Sequence, residues 1–351
     1  MTILKCPQSF NLLRSRLRIS LVCLSGFFGA LCVANRPRFW WQEIFCSLAL
    51  YWLPLAVLAI VWLTRISHAR ATHLRCRIAP WILWGAIVCY GYMIVSMGSV
   101  LAPYLWYSRW PQPPNQDAPI ISGLWIDGWS TRDTLSDLRE VLLRTKPMVV
   151  MVSGDFAGLE PSLDVLKFLP YRARTSSAEN GGISIFSAIP IGAEHIDHLG
   201  VEAFPGGVFS LYPPGGRSIE LGVMALVRST SQEQFERNRI TARRLSSVMR
   251  SSRAPRIVAA QFSTSPFSPF VGVYSEQVRL RSVMFGLGLY KTFNMENPFV
   301  MTTDNNIFVS QDFSRVSFER IHLPMRERAA LFFKVALLGQ LHNRQHDELP
   351  N

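Results

Sequence analysis

Two groups of side chains in this 351-residue chain have the types and spacing to do chemistry on their own. His195 and His198 lie three residues apart with Glu194 and Asp197 beside them. Paired imidazoles flanked by carboxylates can hold a transition-metal ion. The group follows an apolar run, so it reads more simply as a solvated surface loop. Arg237, Arg239, Arg243, Arg244, Arg250, Arg253 and Arg256 cluster on and after one helical stretch. Guanidinium groups in such numbers can clamp phosphates. Glu233 and Glu236 sit among them, and a solvated helix face is the simpler reading. The Gly206-Gly207 and Gly215-Gly216 pairs are not followed by Lys-Ser/Thr and lead no helix, so they read as turns. No Gly-x-Ser-x-Gly elbow or zinc-protease helix motif is present. All six cysteines, Cys6, Cys23, Cys32, Cys46, Cys76 and Cys89, precede residue 110. The remainder therefore has no disulfide and no thiolate chemistry.

The elements that would position these groups begin at residue 120. Ile120–Ile126 and Met148–Val152 read as strands, with Thr131–Thr145 between them at helical spacing. Ser162–Leu169 reads as a short helix and Gly182–Phe186 as a strand. Val208–Tyr212 and Ile219–Val227 read as a hairpin around the Pro213–Gly216 turn. A long helix over Gln232–Arg250 precedes a strand over Arg256–Phe262. Glu276–Phe285 reads as helix, and Asn306–Ser310 and Ala330–Leu338 as strands. The mixture predicts an α+β sandwich.

The apolar fraction is 49% and the charged fraction 17%, and the shortage of charge is local. Ile19–Asn35, Ile44–Thr64 and Trp81–Ser108 contain no charged residue and are 17, 21 and 28 residues long. A helix needs about 20 apolar residues to cross a bilayer. Trp40, Trp41, Trp81, Trp106 and Tyr107 stand at the edges of the runs, where interfacial aromatics belong. Three transmembrane helices are expected, with Pro103 marking the exit or a kink of the third. Asn35-Arg36-Pro37-Arg38 is a poor cleavage site, so the first run reads as a retained signal anchor.

The net charge of +12 does not mark a nucleic-acid surface. Residues 1–114 hold 11 Lys and Arg against one acid, Glu43; residues 115–351 hold 25 against 23. The excess therefore belongs to the membrane part and reads as topology. Lys5, Arg14, Arg16 and Arg18 precede the first run, and Arg65, Arg70, Arg75 and Arg77 follow the second. The opposite side has Arg36, Arg38 and Arg109. The N-terminus is thus expected in the cytoplasm and the C-terminal domain outside it, on the periplasmic side of a bacterial inner membrane. The expected organisation is an anchor over 1–109, a Pro-rich linker over 110–119, a domain over 120–340 and a tail over 341–351.

The order of blocks resembles the endonuclease/exonuclease/phosphatase superfamily. Lys146-Pro147-Met148-Val149-Val150-Met151-Val152 looks like its "pDvvllqE" strand. Leu169-Pro170-Tyr171, then Gly181-Gly182-Ile183-Ser184-Ile185-Phe186-Ser187 and Ile189-Pro190-Ile191, resemble its "Y…G.aI.S..PI" block. Arg256-Ile257-Val258-Ala259-Ala260-Gln261-Phe262-Ser263-Thr264-Ser265-Pro266 resembles "R…ivvGDFN.tP". Leu289–Phe293 resembles "g…Tw", Asp304–Ser310 resembles "iDhIfvS", and Leu323–Leu331 lies where "SDH.P" belongs. The resemblance implies a four-layered α/β sandwich, a metal-dependent phosphoesterase ancestry and, as in some bacterial members, N-terminal transmembrane helices.

Carried over position by position, the resemblance implies a dismantled site. The first-strand Asn falls near Asp127 and the metal-binding Glu at Gly154. The "GDFN" Asp and Asn fall at Gln261 and Ser263. The "iDh" pair falls at Asn305 and Asn306, and "SDH" at Arg326, Glu327 and Arg328. Hydrolysis by metal-activated water needs oxygen ligands and a titratable base. Here Asp127 and Glu327 stay acidic, while the catalytic positions Gln261, Ser263 and Arg328 do not. The expected function is a degenerate binding or regulatory module with no cofactor. Its partners would be the lipid bilayer and a protein or phosphorylated ligand. The alternative is a divergent phosphoesterase holding Mg²⁺ or Mn²⁺ on Asp127, Asp155, Asp304 and Glu327. A topology reporter fused after Asn351 should be active only outside the cytoplasm; cytoplasmic activity would overturn the orientation.

Overall fold

The computed structural model describes residues 8–34, 42, 49–71, 80–106, 110–111, 118–129, 135–154, 164–175, 182–192, 205–214, 216–263, 268–287, 304–323 and 329–338. The chain divides into two compact units, Met1–Leu101 and Ala102–Asn351.

The apolar runs of the first unit fold as helices α1 (Gln8–Ala34), α2 (Ala49–Ala71) and α3 (Pro80–Trp106), the last of which ends inside the second unit. Among the described residues one segment, Ile82–Trp106, is long and apolar enough to cross a membrane. The apolar stretches of the other two, Leu17–Ala30 and Trp52–Arg65, are shorter. Of the three spanning helices expected, α3 alone among the described residues has the apolar length to cross a membrane. Pro103 lies within α3, which continues to Trp106. Large apolar side chains point outward along all three helices, with Leu24 63%, Leu58 64%, Val88 67% and Val95 71% exposed. The helices meet through small and polar groups. A β-carbon on Gly26 would lie 2.7 Å from the Tyr90 ring. The Tyr90 hydroxyl donates to the Val22 carbonyl at 2.8 Å and lies 2.6 Å from the Ser25 hydroxyl. Close backbone approach and interhelical hydrogen bonds are how helices associate where burial from water gives no drive.

In the second unit, β1 (Ile120–Trp129), α4 (Leu135–Thr145), β2 (Val149–Gly154), β3 (Tyr171–Thr175) and β4 (Ile183–Ser187) come first. Then follow β5 (Ile191–Gly192), β6 (Gly206–Leu211), β7 (Ile219–Ala225), α5 (Gln232–Ser251), β8 (Arg256–Gln261) and α6 (Pro269–Glu276). β9 (Arg281–Ser282), β10 (Asn305–Val309), β11 (Phe313–His322) and β12 (Ala329–Leu337) complete it. Two six-stranded sheets form, in the orders β11-β12-β1-β2-β4-β3 and β5-β6-β7-β8-β10-β9. Period-two alternation sorts the side chains. Ile121, Trp125, Val149 and Met151 of the first sheet join Phe209, Leu221, Ile257 and Ile307 of the second in one inner core. Leu124, Ile126, Val150 and Val152 turn outward to Leu138, Val141 and Leu142 of α4. On the other outer face, Tyr274 of α6 packs among Phe262 and Phe308, and its hydroxyl donates to the Ala242 carbonyl of α5 at 3.2 Å. Burial raises the pKa of that phenol. The layers are thus helix, sheet, sheet, helix, and the mixed α/β sandwich expected from the sequence is present.

Ser231 caps α5 by accepting from the Gln234 amide, which satisfies one of the free N–H groups of its first turn. Both ends of the linker are tied to the domain. The Trp110 ring lies 4.9 Å from the Arg281 guanidinium and 5.2 Å from that of Arg315, and its indole donates to the Phe285 carbonyl. Leu337 donates to the Pro119 carbonyl.

The sequence reading needs one clear correction. Glu276–Phe285 is not a helix. The helix is Pro269–Glu276, and the chain then turns into the two-residue strand β9. Arg279, at φ 56°, and Gly286, at φ 79°, take left-handed backbone that breaks helical continuation. β3, β5 and β11 were not anticipated.

Gly123 is needed because Phe333 of the neighbouring strand lies over it: a β-carbon there would come 2.4 Å from the ring. Gly123→Ala should cost about 1–3 kcal/mol, as overpacking does, and lower the near-ultraviolet melting temperature of the detergent-solubilised chain. Phe333→Leu in the same molecule should return part of the loss; strict additivity would contradict the packing argument.

Candidate functional site

The residues singled out by the resemblance fall into two groups, one on each sheet. On the first sheet Asp127 lies two residues beyond Trp125 and is buried. A carboxylate removed from water needs hydrogen bonds. The Ser153 hydroxyl of the parallel strand β2 donates to Asp127 Oδ1 at 3.0 Å, and the Gly128 amide donates to Ser153 Oγ at 2.8 Å. Ser153 follows Met151 at the same period and so shares its inward face. Gly154, next in line, has φ 107° and its amide donates to the Gly182 carbonyl at 3.0 Å. That backbone conformation suits glycine, and a side chain there would be strained.

On the second sheet the site lies at the paired ends of β8 and β10, where Gln261 is opposite Asn305. Gln261, Ser263, Asp304, Asn305 and Asn306 are all buried. Gln261 Nε2 donates to Ser263 Oγ at 3.0 Å, and that hydroxyl donates to the Leu226 carbonyl at 2.8 Å. Ser263 adopts φ 50°, a left-handed conformation its two side-chain bonds help hold. The Ser282 hydroxyl donates to Asn306 Oδ1 at 2.6 Å, and Asn306 Nδ2 donates to the Tyr104 hydroxyl at 3.3 Å. The Phe262 amide donates to the Asp304 carbonyl at 2.7 Å. At this sheet end the side-chain bonds of Gln261, Ser263, Ser282 and Asn306 join neutral groups, and a neutral amide–hydroxyl network has no base that titrates near neutral pH.

Asp155, Glu327 and Arg328, and with them His195 and His198, lie outside the described residues. Of the carboxylates expected to hold a metal, Asp127 and Asp304 are described, each on its own sheet. Among the described residues no group of three or more His, Cys, Asp or Glu side chains comes together. A hard divalent cation of the Mg²⁺ or Mn²⁺ type needs several charged oxygen ligands. Gln261, Ser263, Asn305 and Asn306 supply none, and at the end of β8 and β10 Asp304 is the one described carboxylate. Ser153, Ser282 and Tyr104 were missed from the sequence. Ser153 was findable, as a polar residue ending an apolar strand in inward phase. Tyr104 lies 202 residues from Asn306, and no local pattern joins them.

The arginine cluster is a helix face with structural attachments. Arg239 pairs with Glu236. Arg256 Nη1 donates to the Met249 carbonyl at 2.7 Å; burial lowers the pKa of its guanidinium, and Asp312 and Glu220 oppose that.

No protein-family model matches the sequence, and no curated protein matches it. Several solved structures are similar to it. An endonuclease/exonuclease/phosphatase from Beutenbergia cavernae has 12% identity and a TM-score of 0.48, with 63% of this chain and 72% of that one covered. One from Bacteroides vulgatus has 12% identity and a TM-score of 0.46, covering 62% and 99%. The human Nocturnin catalytic domain has 15% identity and a TM-score of 0.44, covering 65% and 99%.

The Ser153–Asp127 bond can be tested directly. Ser153→Ala leaves a buried carboxylate short of a donor and should lower stability by about 1–3 kcal/mol, read as an earlier urea midpoint. Ser153→Thr, which keeps the hydroxyl, should restore most of it; equal loss in both variants would show that the hydroxyl is not what matters.

Proposed function

We propose that residues 120–340 are an endonuclease/exonuclease/phosphatase-type domain that has lost hydrolysis and acts as a binding or regulatory module. In this reading three N-terminal helices hold it at the inner membrane, on the extracytoplasmic side. The observation that carries the loss of hydrolysis is the neutral network at the end of β8 and β10. Gln261, Ser263 and Asn306 stand where the resembled family has an acid, an amide and an imidazole; Gln261 is bonded to Ser263 and Ser263 to the Leu226 carbonyl, while Asn306 is bonded to Ser282 and Tyr104. Activity in a cooperative site falls by orders of magnitude when one essential group is removed. Gly154 adds to this, since restoring a Glu there would also need a different backbone. The outward apolar side chains of α1, α2 and α3 support the membrane anchor. The ligand expected is a protein or a phosphorylated molecule held in the old cleft. The bulk charge of 115–351 is near balance, which argues against a nucleic acid.

The second reading is a divergent phosphoesterase built on Asp127, Asp155, Asp304 and Glu327. What favours it is that Asp127 and Asp304 both remain carboxylates in buried places. Titration calorimetry of the detergent-solubilised full chain with Mn²⁺ and Mg²⁺ separates the two. No saturable binding is expected. Micromolar binding that disappears in Asp127→Ala would reject the degenerate site and establish the metal-dependent one.

A further inference from the structure

We infer that the first unit carries a binding site for one anionic phospholipid, in a groove between α1 and α2. The groove encloses about 780 Å³ and is lined on its apolar stretch by Leu21, Leu55, Leu58 and Trp62. Arg18 of α1 and Arg65 of α2 stand at it together. The two arginines are at matching heights. Arg18 is sixteen residues before the end of α1 and Arg65 sixteen after the start of α2, about 24 Å from the connected ends in each case at 1.5 Å per residue. The two guanidinium groups therefore form one basic rim, and the apolar lining runs inward from it.

The dimensions and the charge both select the occupant. From Arg65 back to Leu55 is ten residues, about 15 Å of helix. That is half of a hydrocarbon core of roughly 30 Å, the depth of one leaflet. An acyl chain seated along Leu55, Leu58 and Trp62 places its headgroup phosphate at the arginines. Two adjacent guanidinium groups repel each other and are suited to a shared phosphate, which accepts from both in forked geometry. Among the described residues of the first unit there is no carboxylate to compete for them. Glu43 is the one acid in residues 1–114, and in sequence it belongs to the connection at the far ends of both helices. The leaflet is the cytoplasmic one by the arginine distribution, where anionic lipid concentrates positive charge.

The inference rests on the membrane anchoring proposed above, and the experiment separates the two. The full chain is expressed, its membranes are washed with alkaline carbonate, and the extracted protein is examined in neutral detergent by native mass spectrometry with phosphatidylglycerol or phosphatidylcholine of the same acyl chains. Wild type should stay in the membrane pellet, and should retain one phosphatidylglycerol with a preference on the order of tenfold over phosphatidylcholine. Arg18→Gln with Arg65→Gln should abolish the preference, and Arg18→Lys with Arg65→Lys should keep part of it. Leu58→Trp, which fills the groove and keeps both charges, should weaken retention of both lipids. Release of the chain by carbonate would sink the anchoring reading itself. Firm anchoring with equal retention of the two lipids, or a preference unchanged in the Gln variant, would sink the lipid site alone.

Discussion

Strand β1 has no face toward solvent. Ile121 and Trp125 pack inward against the second sheet, and Leu124 and Ile126 pack outward beneath α4. A polar group on such a strand that lacks a partner within the protein costs a large part of the net stability of a domain, and most have one, the Trp125 indole N–H being the exception. That requirement sets the neighbours. The Ser122 hydroxyl accepts from the Met148 amide, Asp127 accepts from Ser153, and Gly123 leaves room for the Phe333 ring. The parallel register of β1 with β2, Gly123 beside Val149 through Ile126 beside Val152, goes with the first two contacts, and the antiparallel pairing with β12, Gly123 opposite Phe333, with the third.

The same rule applies at the end of the second sheet. A buried carboxylate cluster without cations would repel itself, so a chain that no longer held an ion would gain stability by losing the charges. Gln261, close in size to a carboxylate side chain, and Asn306 carry no charge, and they bring N–H donors as well as acceptors. Hydroxyls at Ser263, Ser282 and Tyr104 take up that capacity. The result is a buried polar region whose side-chain bonds join neutral groups.

The first unit solves a different problem. Its helices keep large apolar side chains outward and meet through small and polar groups: Gly26 lets Tyr90 approach and the Tyr90 hydroxyl ties back to Val22. Where α1 and α2 do not close on each other, a groove remains between them, with its basic residues at one height.

What could be read from the sequence divides along a physical line. Interior strands and amphipathic helices announce themselves, since burial on one or both faces imposes an apolar run or a period: β2, β4, β8, β10, β12, α4 and α5 lie near their expected places. All four sheet edges escaped. β3 and β11 have polar, largely exposed sequences, Tyr171–Thr175 and Phe313–His322, and β5 and β9 are two residues each. An edge strand is held by backbone hydrogen bonds to its one neighbour, and those leave no mark on side-chain pattern. The same holds for the site. That Gln261, Asn305 and Gly154 carry no charge was plain in the sequence, because side-chain type alone decides charge. That Asn306 would be met by Tyr104 and Ser282, that Gly154 would take a left-handed φ, and that Arg18 and Arg65 would share a rim depended on segments far apart in the chain. The sequence by itself determined where apolar surface and charge are stored; the tertiary structure decided which groups share that space, because long-range contact is set by packing and not by spacing along the chain.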